Sequence, residues 1–112
     1  MSLPKDIQQL LDSVVNTLVK WDLIAYLHKN PSARISAEKI ASSIGRSADE
    51  VLAALSELSD NKILQYEYDG ETLYYRYNPD REWQSKVDKF IDGLSNRNTR
   101  WLILNYLVEK DQ

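Results

Sequence analysis

Residues Ser36 to Tyr77 read SAEKIASSIGRSADEVLAALSELSDNKILQYEYDGETLYYRY, and the order of local signals in this stretch decides the fold. Ser36 precedes Ala37-Glu38-Lys39-Ile40-Ala41, an N-cap oxygen followed by a first-turn acid that suits the positive end of a helix. That helix stops at Gly45, a residue type that accepts the left-handed conformation just past a helix end. Ser47-Ala48-Asp49-Glu50 follows at once as a capping box, so a second helix starts within one turn of the first. Ala48, Val51, Leu52, Leu55 and Leu58 recur at three and four residues and are expected to face a core, with Asn61 as a left-handed cap. After Asn61 the apolar period becomes alternating. Asp69-Gly70 is expected to form the two-residue type I′ turn of a hairpin, pairing Tyr68 with Glu71, Tyr66 with Leu73 and Leu64 with Tyr75. Leu64, Tyr66, Leu73 and Tyr75 then share the buried face, leaving Gln65, Glu67, Tyr74 and Arg76 to solvent.

Working outward, Pro4 sits where a first helical turn needs no amide donor, and no breaker intervenes before Asn30-Pro31. The pattern predicts one helix of about 25 residues, roughly 37 Å long. Ile7, Leu11, Val14, Leu18, Trp21 and Ala25 form its long stripe, widened by Leu10 and Val15, while Leu23, Ile24 and Leu27 point to another side. His28 and Lys29 fall in its last turn, where cations complement the helix dipole; for the lone histidine this structural role outweighs any ligand role. Downstream, Trp83, Val87, Phe90 and Ile91 predict a helix from Asp80 to Asp92, and Gly93 with the polar run Ser95 to Thr99 predicts a break. The last helix, from about Asn98 to Lys110, is apolar on every side and is therefore expected to be buried.

These elements describe a mainly α chain with a small β-hairpin, an α+β class, in a single domain over residues 1–112. Residues 18–78 form its core, and residues 1–17 and 80–112 are helical elements whose apolar surface exceeds what that core can cover. Pairing the first helix with the last, in the same subunit or across a two-fold axis, removes both exposed surfaces, and a homodimer is expected through Ile7, Leu11, Val14, Leu18, Trp101, Leu104 and Val108. Trp21-Asp22-Leu23-Ile24-Ala25-Tyr26-Leu27 and Trp101-Leu102-Ile103-Leu104-Asn105-Tyr106-Leu107 share Trp, Tyr and Leu at the same offsets. Two buried amphipathic helices using similar residues explain this echo more simply than a degenerate repeat.

Helix, tight turn, helix and hairpin, carried by Trp21 to Leu27, Ser36 to Ala41, Ile44-Gly45, Val51 to Leu58 and Asn61 to Leu64, resembles the winged helix-turn-helix family, in the broad manner of small ArsR-like and MarR-like regulators. The resemblance covers roughly Trp21 to Tyr77 and implies a long N-terminal helix and a C-terminal helical extension around the wing-bearing core. It implies a short strand at Arg34-Ile35 that closes the wing sheet. It also implies that the second helix of the pair enters the major groove of double-stranded DNA while the wing meets the backbone. Carried over by position, the DNA-binding candidates are Lys39, Arg46, Ser47, Ala48, Glu50, Ala53 and Ser56, with Gly70 and Arg76 from the wing. The function implied is a homodimeric transcription regulator.

Charge argues in the other direction. The chain carries a net charge of −3 and a pI near 5.1, whereas duplex binding draws on cations that neutralise phosphates. From Ser47 to Asn61 there is no Lys or Arg, while Asp49, Glu50, Glu57 and Asp60 are present, and the wing tip is Asp69-Gly70-Glu71. Only Arg46 or a neighbouring loop offers the common arginine contact to guanine. A winged helix turned to protein recognition, with a basic partner and no nucleic acid, is the alternative. Tyr68, Tyr74 and Tyr77 could serve either reading, though such aromatics more often stiffen a hairpin through cross-strand pairs. No cysteine, a single histidine and no Gly-rich phosphate loop leave no catalytic, metal or cofactor arrangement, so no enzyme is expected. With no signal peptide and no apolar span, a cytoplasmic location without membrane contact is expected.

Overall fold

A computed structural model describes residues 2–110. The elements run α1 (Lys5–Ser13), α2 (Leu18–Lys29), β1 (Ile35–Ser36), α3 (Ala37–Ile44), α4 (Ala48–Asp60), β2 (Leu64–Asp69), β3 (Thr72–Tyr77), α5 (Arg81–Leu94) and α6 (Arg97–Lys110). The three strands form one antiparallel sheet in the order β1-β3-β2, so the mainly α architecture with a hairpin wing is what the sequence predicts. The short closing strand falls on Ile35–Ser36, where Ile35 pairs with Tyr75 and Ser36 with Tyr74.

The single long first helix is not formed. The chain breaks between Ser13 and Leu18, with the amides of both Val14 and Val15 donating to the Leu10 carbonyl. Thr17 then starts α2 by accepting the Lys20 amide on its hydroxyl, 3.2 Å away. Val14 and Val15, the residues of the break itself, are both fully covered. Beside the break lies an ion pair: Lys20, the one buried charged side chain among the described residues, meets Glu57 of α4 at 2.7 Å and Asn16 of the break at 2.8 Å.

α2 packs against α3 and α4 through Leu23, Ile24 and Leu27, and α1 lies along α5. The stripe expected to lack a partner is divided. Ile7, Leu11 and Val14 are buried within this chain's own core, together with Val87 and Phe90 of α5, whereas Leu18 stays 36% exposed. Trp21 meets Phe90 edge to face at 6.2 Å, which ties α2 to α5. Outside the core, Lys89 bonds Asp6, and Asp12 receives both the Tyr106 hydroxyl and the Lys110 ammonium, so each end of α1 is clasped by a later helix.

Three further expectations are corrected. In α4 the covered positions are Val51, Ala54, Leu55 and Leu58; Ala48 is exposed because the first turn runs past the core, and Leu52 is 48% exposed because it lies one step around the helix. At the end of α4 the left-handed residue is Lys62 (φ +64°) and not Asn61 (φ −83°). The Lys62 amide donates to Ser59 and the Ile63 amide to Leu58, a Schellman closure that seats Ile63 in the core at the expense of a non-glycine left-handed residue. Finally, the hairpin turns on Gly70-Glu71, pairing Asp69 with Thr72, Tyr66 with Tyr75 and Leu64 with Tyr77. Gly70 has φ +65° and Glu71 is not left-handed, the pattern of a turn with glycine at its first central position. The shift moves each partner by two residues, so Leu64, Tyr66, Leu73 and Tyr75 still share a face. Only the sheet's base reaches the helices, however. Leu64 and Tyr75 are buried while Tyr66 is 59% exposed, and Tyr74, expected in solvent, is half-buried.

Gly93 and Leu94 continue α5, and the expected break follows at Ser95-Asn96, where the Asn96 side chain accepts the Thr99 amide. α6 does not meet the expectation of burial on every side. Ile103 and Leu107 are covered, but Trp101 is 62%, Leu104 40% and Val108 43% exposed, because α6 lies chiefly along α5 and reaches α1 through Tyr106 and Lys110, which leaves these three side chains outside. No helix among the described residues is long and apolar enough to cross a membrane.

Candidate nucleic-acid interface

Local capping positions the helix pair. The Ser36 hydroxyl accepts the Lys39 amide at 3.3 Å to start α3, Gly45 (φ +72°) ends it, and the Ser47 hydroxyl accepts the Glu50 amide at 3.3 Å to start α4. The Ser47 hydroxyl in turn donates to the Glu50 carboxylate at 3.4 Å, in place of the bond from the Ser47 amide expected of a capping box. With Val51, Ala54, Leu55 and Leu58 turned inward, α4 presents Ala48, Asp49, Leu52, Ala53, Ser56, Glu57 and Asp60 outward. Ala48, Ala53 and Ser56, three of the sequence-derived candidates, therefore lie on the open face of the helix, and their small side chains permit close approach of a groove.

The electrostatics of this face are set by pairing. Arg46 donates from Nε and Nη2 to Asp22 of α2, both at 2.8 Å, and from Nη1 to Glu50 at 3.1 Å. The Asp22 hydrogen bond holds the guanidinium more firmly charged than an isolated arginine. The residue expected to be available for a base edge is instead a three-way tie between α2, the turn and the first turn of α4. Lys39 and Lys62 project outward without a carboxylate partner among the described residues. On α4 the Glu57 carboxylate is partly neutralised by Lys20 from below.

The wing arginines are also engaged. Arg34 lies over the Tyr74 ring at 4.6 Å and pairs with Asp69 at 3.1 Å and Glu67 at 3.5 Å, and Arg76 reaches Glu67 at 3.8 Å. Gly70 forms the tip. Tyr66 and Tyr68, 59% and 69% exposed, stand on the wing face beyond the helices. Tyr77 at the wing base has its hydroxyl buried without a hydrogen-bond partner, and burial pushes its ionisation well above the ordinary phenol range.

Of the dimer candidates, Leu18, Trp101 and Leu104 line one groove, Val108 continues the exposed side of α6, and Ile7, Leu11 and Val14 are remote from it inside the core. The roles of Asp22, Lys20 and Glu57 were not visible in the sequence, since each depends on contacts between separate helices. Arg97 and Arg100 are one helical turn apart and beside Trp101, a local signal; their approach to Arg46 is a tertiary fact. Among the described residues no cluster of His, Asp or Glu could hold a metal ion.

No protein-family signature and no curated sequence matches the chain. Solved structures do share its fold. The AntR antimony-specific transcriptional repressor is 19% identical with a TM-score of 0.60, over 76% of this chain and 70% of its own. A possible transcriptional regulator from Methanosarcina mazei Go1 is 15% identical with a TM-score of 0.60, over 85% of this chain and 83% of its own. The architecture built above, a winged helix-turn-helix between terminal helices, is thus one that solved transcription regulators also adopt.

Proposed function

We propose that this chain is a winged-helix transcription regulator that binds double-stranded DNA in the cytoplasm as a homodimer. The observation that carries the reading is the α3–turn–α4 unit, locked at Gly45 and Ser47, with the small residues Ala48, Ala53 and Ser56 on its open face and a wing beside it. In this reading α4 enters the major groove, Lys39 and Lys62 meet phosphates, and Ser47 and Glu50 lie at the end of α4 that reaches base edges. Self-association uses the exposed apolar stripe of Trp101, Leu104 and Val108, extended by Leu18, and sets two α4 helices at the spacing of two half-sites. Structural kinship with transcriptional regulators supports this choice.

A second reading, a winged helix that recognises a basic protein, is favoured by one observation: α4 has no cation, and Arg34, Arg46 and Arg76 are all paired with carboxylates. Duplex binding measured against salt separates the two. A DNA-binding dimer with about four phosphate contacts loses affinity with a log–log slope of roughly −4 as salt rises. Absence of duplex binding at low salt, with the chain folded, rejects the DNA reading.

A further inference from the structure

The four carboxylates of α4 are not equivalent. Glu50 accepts from Arg46 at 3.1 Å and from the Ser47 hydroxyl at 3.4 Å, and Glu57 is held by Lys20 at 2.7 Å. Asp60 is the last residue of the helix. Asp49, the second residue, is exposed and forms no ion pair among the described residues. At about 100° per residue it stands opposite the inward side formed by Val51, Ala54, Leu55 and Leu58. Ala53, one turn on, is its small neighbour on the open side. Arg46, the cation nearest to it in sequence, is already tied to Asp22 and Glu50.

We infer that Asp49 selects cytosine in the major groove, its carboxylate accepting from the N4 amine. This rests on the DNA reading above and names what the same face of α4 recognises. An ionised carboxylate only accepts hydrogen bonds. Guanine presents the acceptors N7 and O6 in the major groove, thymine the acceptor O4 beside its methyl, and adenine the acceptor N7 beside its N6 amine. Cytosine alone presents a donor with no acceptor next to it. The small side chains of Ala48 and Ala53 leave room for the short Asp49 side chain to reach that edge.

A carboxylate so placed acts largely by exclusion. Facing guanine or thymine it loses water and gains no donor, a cost offset only where an amine meets it. The same charge lowers affinity for every duplex, because it opposes the phosphates. Asp49 therefore widens the gap between correct and incorrect sequences while keeping non-specific binding weak, which suits a chain of net charge −3.

The test is selection of the full chain, wild type and the variants Asp49→Asn and Asp49→Ala, against duplexes with a randomised core of about 20 bp, room for two half-sites. Fluorescence anisotropy on the enriched duplexes follows. The expected wild-type result is a fixed cytosine on one strand of each half-site, whose replacement by thymine or guanine weakens binding about tenfold or more. Asp49→Asn is expected to move the preference at that position to adenine, since an amide accepts from N6 while donating to N7, and Asp49→Ala to lose preference there. The remaining positions are expected to stay as in wild type. A role confined to the helix end would instead weaken binding to all sequences alike. Identical selected sequences for wild type and both folded variants, or an Asp49-dependent position that fixes a base pair without cytosine, would overturn the inference and leave the DNA reading in place. If the folded wild-type chain enriches no duplex at low salt, the DNA reading and the inference fall together.

Discussion

Trp21 to Leu27 in α2 and Trp101 to Leu107 in α6 spell nearly the same heptad, yet the fold treats them differently. In α2 the helix is flanked by α3, α4 and β3, so Leu23, Ile24 and Leu27 are all fully covered and Trp21 rests edge-on against Phe90. In α6 the equivalents of Leu23 and Leu27, Ile103 and Leu107, are covered by α5, but Leu104, the equivalent of Ile24, is 40% exposed and Trp101 is 62% exposed. The two tyrosines differ as well. Tyr26 donates to the neutral Ser43 hydroxyl at 3.3 Å, whereas Tyr106 donates to the Asp12 carboxylate. The same apolar pattern thus specifies which faces can be buried, and the number of neighbouring elements decides how many of them are.

This contrast can be broken most forcefully by truncation. Leu27→Ala is expected to lower unfolding stability by about 2–5 kcal/mol in urea denaturation, as for other fully buried leucines. Leu104→Ala, at concentrations where the chain is monomeric, is expected to cost less than about 0.5 kcal/mol. A comparable loss at both sites would mean that α6 is as enclosed as α2.

Next in size is self-association. If the exposed stripe of α6 is the dimer contact, the wild-type mass by light scattering at micromolar concentration is twice 13.0 kDa, and Trp101→Glu with Leu104→Glu reduces it to 13.0 kDa. A wild-type chain already at 13.0 kDa removes the stripe from any role in pairing.

The smallest effect sharpens the tyrosine contrast. Hydrogen bonds from Lys110 and then Tyr106 hold the Asp12 carboxyl below its ordinary value of 3.8, and Lys89 does the same for Asp6. A depressed folded-state pKa stabilises the fold above the ordinary carboxylate range, and that contribution is lost as pH falls through the lower folded value. Thermal unfolding is therefore expected to weaken on acidification from about pH 4 downward. Asp12→Asn should flatten part of that slope, leaving the Asp6 share, while Tyr26→Phe should leave it unchanged. An identical acid slope in Asp12→Asn would show that the α1–α6 clasp contributes nothing.

Much of the candidate interface was legible because it is local. Ser36, Gly45 and Ser47 act on amides within four residues of themselves, and Asp69-Gly70 announces a reversal whatever surrounds it. The register was less secure, since Gly70 can occupy either central position of a two-residue turn, and only the β2–β3 pairing, with Leu64 opposite Tyr77, distinguishes them. The interrupted first helix had a signal in Asn16-Thr17, a capping pair ahead of Leu18-Val19, but continuous apolar spacing across it reads as helix. Lys62 escaped notice because glycine or asparagine usually takes a left-handed position, and here the burial of Ile63 outweighs that preference. The pairing of Arg46 with Asp22 joins residues 24 positions apart and has no local trace.

Sequence alone determined the capped starts of α3 at Ser36 and α4 at Ser47, the turn between them, the presence of the hairpin and the acidic character of α4, all consequences of chemistry acting over a few residues. Tertiary structure alone decided that α1 is absorbed into the core while α6 keeps a bare side, that Lys20 is buried under Glu57, and that Arg46, Arg97 and Arg100 share a groove. The reason is that burial and ion pairing depend on which surfaces meet, and residues far apart in the chain become neighbours only when the elements carrying them pack.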